Sequence, residues 1–148
     1  MNSQEKKHWL GRYRSICRRI EAKIEEKERL RSLETKITPT LSDMPKGGGG
    51  DDKLATMTEK IDEIDHQLSD ELDALAHARA EIEAAIQTVE PESYREVLER
   101  RYIRGERWEQ IAVDMNYNYR TVFKVHGYAL GKLQIPEKEG SKGHYEVC

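Results

Sequence analysis

The chain has little from which to build a chemical site or a large core. Of its 148 residues two are cysteine and one is phenylalanine, and aromatic residues make up 7%. Cys17 and Cys148 offer neither a metal-ligand spacing nor a disulfide framework. Cys17 lies among apolar helix positions and reads as packing. None of the five histidines, His8, His66, His77, His126 and His144, stands with a Ser or Cys in a nucleophile pattern. His144 and Cys148 are two isolated ligand types in a polar tail, too few for a zinc site. No catalytic residue, metal or cofactor is expected, and the chain is not read as an enzyme. No apolar run approaches the ~20 residues that span a bilayer. The first seven residues carry no apolar signal region, so the expected place is the cytoplasm, away from the membrane. With 36% charged residues, long solvated helices are favoured over a thick globular core, arranged as one or two small domains.

The net charge of −3 argues at first against nucleic acid, but its distribution does not. Residues 1–50 carry twelve Lys/Arg against seven Asp/Glu, and residues 51–90 carry three against twelve. Residues 91–135 carry eight against six. The acidity belongs to the middle segment. The mild excess of cations after residue 91 predicts weak DNA binding by a single copy, since phosphate neutralisation supplies most of the affinity.

From residue 5 to about 36 the chain favours helix. Trp9, Tyr13, Ile16, Ile20 and Ile24 recur at helical spacing, with Leu30, Leu33 and Ile37 continuing less regularly. The cations between them read as the solvated face of an amphipathic helix. Arg12, Arg18 and Arg19 also fit a patch facing phosphate or a partner. Pro39 and Pro45 predict a stop, and residues 38–52 read as a loop holding Gly47–Gly50. A phosphate loop would need a preceding strand and a following Lys-Ser/Thr on a helix. Neither is present, and Asp51 and Asp52 would repel phosphate.

Residues 53–89 carry the clearest repeat. Leu54, Ile61, Leu68, Leu75, Ile82 and Val89 are spaced by seven, with Met57, Ile64, Glu71, Ala78 and Ala85 between them. Leu72 and Ile86 are expected to widen this heptad seam. Such a helix cannot bury its seam alone. The basic first helix, folded back antiparallel, would complement its acid, and a second copy would pair with the same seam as a dimer. Glu71 reads either as a register mark or as a solvated rim position.

Pro91 suits the first position of a new helix. Three short helices follow. Gly105 divides the first from the second, and four residues, Asn116 to Tyr119, turn into the third. Asn116 fits the left-handed position that closes a helix, and Asn118 fits a cap for the next. This is the pattern of a helix-turn-helix. Val122, Val125, Ala129, Leu130 and Leu133 are expected to face inward, leaving Tyr119, Arg120, Phe123, Lys124 and Gly127 outward. Arg120 fits guanine, Lys124 fits phosphate, and Phe123 or Tyr119 fits a thymine methyl group. Phe123 fits equally the packing surface of a neighbouring domain. Gly127 costs about 1 kcal/mol against Ala within a helix, which close approach to DNA would explain. His126 is expected beside it, near DNA. Arg100, Arg101, Arg104 and Arg107 precede or open the second helix, and some of them, Arg104 and Arg107 first, are expected near phosphates. Residues 136–148 read as a flexible tail.

The runs Leu98–Gly105, Trp108–Ala112, Met115–Val122 and Ala129–Leu133 resemble region 4 of sigma-70-type factors, the domain that reads the −35 promoter element. Over about residues 8 to 134 the chain resembles the sigma-region-4-like, ArpU-type proteins of phages and prophages, with the segment Ser42–Asp51 among the shared marks. The position before Trp108 is usually a small cap in sigma region 4. Here it is Arg107, which leaves that helix start less well capped. The resemblance implies an all-α protein: a helical hairpin over 1–90, a helix-turn-helix over 91–135, and the tail. It implies a regulator of late genes in a bacterial host cell, with double-stranded DNA, host RNA polymerase and a second copy as partners. The hairpin lacks the aromatic cluster that melts a promoter, so a complete sigma factor is not expected. A DNA-packaging initiator like a small terminase subunit, and an interaction module that does not read DNA, remain as alternatives.

Overall fold

The structure is a computed structural model. It describes residues 1–43 and 49–136, with side chains described for 1–36 and 52–136. Every regular element among these residues is helical. Among the described residues no helix is long and apolar enough to cross a membrane. Two compact units divide the chain: residues 1–14 with residues 77 onward, and Ser15–Ala76.

The first helix is broken where a single one was expected. Helix α1 (Ser3–Leu10) is capped by Asn2, whose side chain accepts from the Glu5 amide at 2.9 Å. Gly11 interrupts it, and α2 (Arg12–Asp43) follows. Glycine is among the weakest helix formers, and the Gly11 amide turns back to the Lys7 carbonyl at 2.9 Å. Nor does Pro39 end α2, which continues to Asp43, and α3 (Gly49–Gln87) opens within the glycine run. A proline removes one helical hydrogen bond and crowds the preceding turn; here the helix passes through that local defect. The loop expected over 38–52 is therefore shortened at both ends. Residues 44–48, with Pro45, Gly47 and Gly48 among them, lie outside the described residues.

Within Ser15–Ala76 the two long helices run antiparallel. Arg19 Nε donates to Glu71 at 2.8 Å, Lys23 Nζ to Gln67 at 3.0 Å, and Lys27 pairs with Asp65. Partner numbers fall as the first helix rises. Glu71 is thus a cross-helix ion-pair partner, with its side chain 20% exposed, rather than a solvated rim position. Surface pairs of this kind are worth about 0–1 kcal/mol each, so their sign and order select the register more than they stabilise it. Ile16, Ile20, Ile61 and Ile64 are buried, while Leu54, Leu68 and Leu75 are half-buried. Three residues expected on apolar stripes face solvent: Leu72 is 52% exposed, Leu33 47% and Ile24 42%.

In the other unit Ala78, Ile82, Ala85, Ile86 and Val89 are buried with Trp9 and Leu10. Val89 lies beyond the end of α3, so this last heptad position is filled from the connection. Arg12 reaches Glu81 at 3.6 Å and lies 4.9 Å from the centroid of the Trp9 ring. Of the cations considered as one patch, Arg12 and Arg19 are therefore paired, and Arg18 is exposed. Pro91 is the cap of α4 (Glu92–Leu98) rather than its first residue, and the Glu90–Pro91 bond is cis. A π-helical segment, Glu99–Ile103, continues α4. Then come α5 (Trp108–Asp114) and α6 (Tyr119–Lys132), with α6 packed on α1, α4 and α5.

Ile82 is fully buried, and Ile82→Ala is expected to cost about 2–5 kcal/mol of stability. A urea unfolding curve reads this as a lowered midpoint. An unchanged midpoint would remove Ile82 from the core.

Candidate nucleic-acid interface

The connection from α5 to α6 is set by two asparagines. Asn116 has φ 60°, the left-handed conformation that asparagine tolerates better than most residues. Around it the Tyr117 amide donates to the Ala112 carbonyl at 2.9 Å and the Asn116 amide to Val113 at 3.2 Å. These are the two bonds of a Schellman ending. Asn118 then caps α6, its Oδ1 accepting from the Thr121 amide and hydroxyl at 2.8 Å each. At the other end of α5, Arg107 holds the cap position without a side-chain cap bond. Trp108 anchors that end instead, packed against the core of Val97, Ile111, Ala112 and Val122.

One face of α6 is closed. Val122, Ala129, Leu130 and Leu133 are buried and Val125 is partly buried, as the spacing predicts. On the open face lie Tyr119, Arg120, Phe123, Lys124 and Gly127, all exposed. Tyr119 and Phe123 meet edge to face at 4.9 Å between centroids. Arg120 and Lys124 have no side-chain hydrogen bond or ion pair among the described residues. A Cβ on Gly127 would meet nothing within 4 Å, so no packing inside the protein requires glycine there.

His126 does not join this face. It is 5% exposed and pairs through Nε2 with the Tyr102 hydroxyl at 2.8 Å. The expectation that it lies near DNA is corrected by helical phase: it falls between the buried Val122 and Ala129 and turns inward with them. Burial, then the nearby Lys7 and Arg101, push its imidazole down to about 4, while burial pushes the Tyr102 phenol up to about 12. Both groups are neutral at pH 7.

The arginines before α5 divide by role. Arg100, its side chain 17% exposed, reaches Glu96 at 2.7 Å, Glu106 at 3.0 Å and Asp114 at 3.1 Å. Three carboxylates hold it in a structural cross-link. Arg101 lies 4.5 Å over the Trp108 ring and donates to the Glu106 carbonyl, a cation–π contact that spacing alone does not reveal. Arg104 is exposed, 3.7 Å from Glu106, and Arg107 is exposed. Among the described residues no hydrogen bond, ion pair or ring contact ties Arg104 or Arg107 to α6. Gly105 stands at φ 71°, and a Cβ there would meet the Arg14 guanidinium at 2.6 Å. Among the described residues no group of three His, Cys, Asp or Glu side chains is arranged to hold a metal ion. His144 and Cys148 lie outside the described residues.

Asn118→Ala removes the α6 cap and is expected to cost about 1 kcal/mol, read as a lower denaturation midpoint. His126 gives a pH signature. Its folded pKa of about 4 lies below the ordinary 6.5, so the unfolded chain binds more protons between these values. Its stabilisation is full above about pH 6.5 and falls as pH drops towards 4, by a total on the order of 3 kcal/mol. Thermal melts of the wild type and His126→Gln should converge as pH falls through this window. Parallel curves would show that the imidazole is not held neutral.

Comparison of the chain with family models, with curated proteins and with solved structures finds no match.

Proposed function

We propose that the chain is a sequence-specific DNA-binding transcriptional regulator of phage type, in which α5, the turn through Asn116 and Asn118, and α6 form a helix-turn-helix. In this reading α6 enters the major groove with its N-terminal half, and Arg120 bonds guanine while Lys124 meets phosphate. The observation that carries the reading is the division of α6: a sealed inner face, and an outer face whose two cations have no side-chain ion pair or hydrogen bond among the described residues. Other cations in the same unit, such as Arg100, are held by carboxylates, although Arg107 is not. The resemblance of residues 98–133 to sigma region 4 supplies the promoter-directed part: a −35-like element, late genes, and action alongside host RNA polymerase. The antiparallel pairing of α2 with α3 supports a helical hairpin that contacts polymerase or a second copy. An interaction module is the second reading, favoured by the exposed rings of Tyr119, Phe123 and Tyr128.

Selection of bound fragments from sheared parent-genome DNA at moderate salt tests the proposal, with Arg120→Ala/Lys124→Ala as the control. Fragments upstream of a gene block should be enriched, and lost in the control. The double variant should also flatten the slope of log K against log salt by about 1–2, since each phosphate contact contributes about 0.9. Enrichment at a packaging-type locus would favour the terminase-like alternative. No enrichment would favour the interaction module.

A further inference from the structure

Five rings form a chain from the core to the surface of α6. Tyr102 bonds His126, the edge of His126 meets Trp108 at 4.6 Å, Trp108 meets Phe123 at 5.2 Å, and Phe123 meets Tyr119 at 4.9 Å. Arg101 lies over the Trp108 ring. Phe123 is thus held on two sides while 42% of it remains open. The outer ring, Tyr119, is tied by its hydroxyl to Glu109 at 3.4 Å, which leaves Phe123 as the ring of this face without a polar group.

Gly127 completes the arrangement. Helical side chains lean towards the N-terminus and cover the turn before their own Cα. A long side chain at position 127 would therefore reach back towards the turn that carries Phe123. A Cβ at position 127 would meet nothing within 4 Å, so a residue other than glycine is expected to fit there and strengthen the helix. Glycine there is unfavourable for the helix and keeps the ring uncovered.

We infer that Phe123 reads a thymine methyl group in the major groove and that Gly127 keeps its ring open for that contact. This rests on the DNA-binding reading above and names the base chemistry that reading leaves open. Thymine alone among the bases presents a methyl group in the major groove. A ring fixed by Trp108 and Tyr119 meets it without having to be ordered on binding. Arg120 and Lys124 flank the ring with charge, so one turn of helix offers one apolar and two cationic contacts.

The test uses the full chain and two pools of the same sheared genomic DNA, one amplified with thymine and one with uracil, which lacks only the methyl group. The wild type should retain the thymine pool about fourfold more strongly for each methyl contacted, the worth of one buried methyl group. Phe123→Ala should lose this preference yet keep salt-dependent binding. Because Phe123 also covers Trp108, Gly127→Leu provides a variant whose fold is expected to be at least as stable. It too should bring the two pools level. Equal retention by the wild type, or a preference that survives in Phe123→Ala, would overturn the inference. Loss of both pools in Gly127→Leu would overturn the part given to Gly127. Retention of neither pool by the wild type would instead sink the DNA-binding reading itself.

Discussion

Burial of one face of α6 fixes the direction of the other. Val122, Ala129, Leu130 and Leu133 are sealed, and α1, α4 and α5 all pack on this helix. The helical period then leaves Arg120, Phe123, Lys124 and Gly127 no choice but to face outward. The capping bond of Asn118 and the left-handed turn at Asn116 decide where that face begins. Even the neutral Tyr102–His126 pair serves the same end, since it satisfies a polar position inside the apolar packing at low cost.

Charge is sorted by partner rather than by sum. Arg19 and Lys27 are used between the long helices, and Arg100 is held by three carboxylates. These cations set geometry and contribute little to the field felt by a distant anion. Arg107, Arg120 and Lys124 have no side-chain ion pair or hydrogen bond among the described residues. A net charge near zero therefore says little about the surface of α6, where local charge is what an approaching phosphate meets.

The periodic parts of the fold were legible in the sequence because period follows from geometry. The inner face of α6, the asparagine turn and the acid-to-base pairing of α2 with α3 all follow from residue spacing and type. What was not legible depends on contacts between distant residues. Arg101 over Trp108 and Arg14 against Gly105 join positions that no local pattern connects. His126 was misplaced for a different reason: the residue type suggested a polar surface, and the phase of the helix, which points inward at 126, overrode it. Pro39 does not end α2, because proline is a propensity and not a boundary, and a helix of that length tolerates one missing bond. Of the two residues expected to widen the seam, Ile86 is buried and Leu72 is open to solvent, since a hydrophobic residue beside a seam is covered only where a partner reaches it.

Lys6 reaches the Leu130 carbonyl at 2.7 Å, across a sequence separation of 124. Its ammonium sits against a carbonyl in the last turn of α6, where a helix favours positive charge. That one bond bears on the order of assembly. The unit containing α6 is discontinuous in sequence, since residues 1–14 must join residues 77 onward. Ser15–Ala76 has its own internal contacts and can close while later residues are still being synthesised. The first fourteen residues must wait for the chain's far half, and contacts of such separation form slowly. Trp9 and Leu10, which lie in those fourteen residues, therefore find their unit only after the chain has passed residue 77.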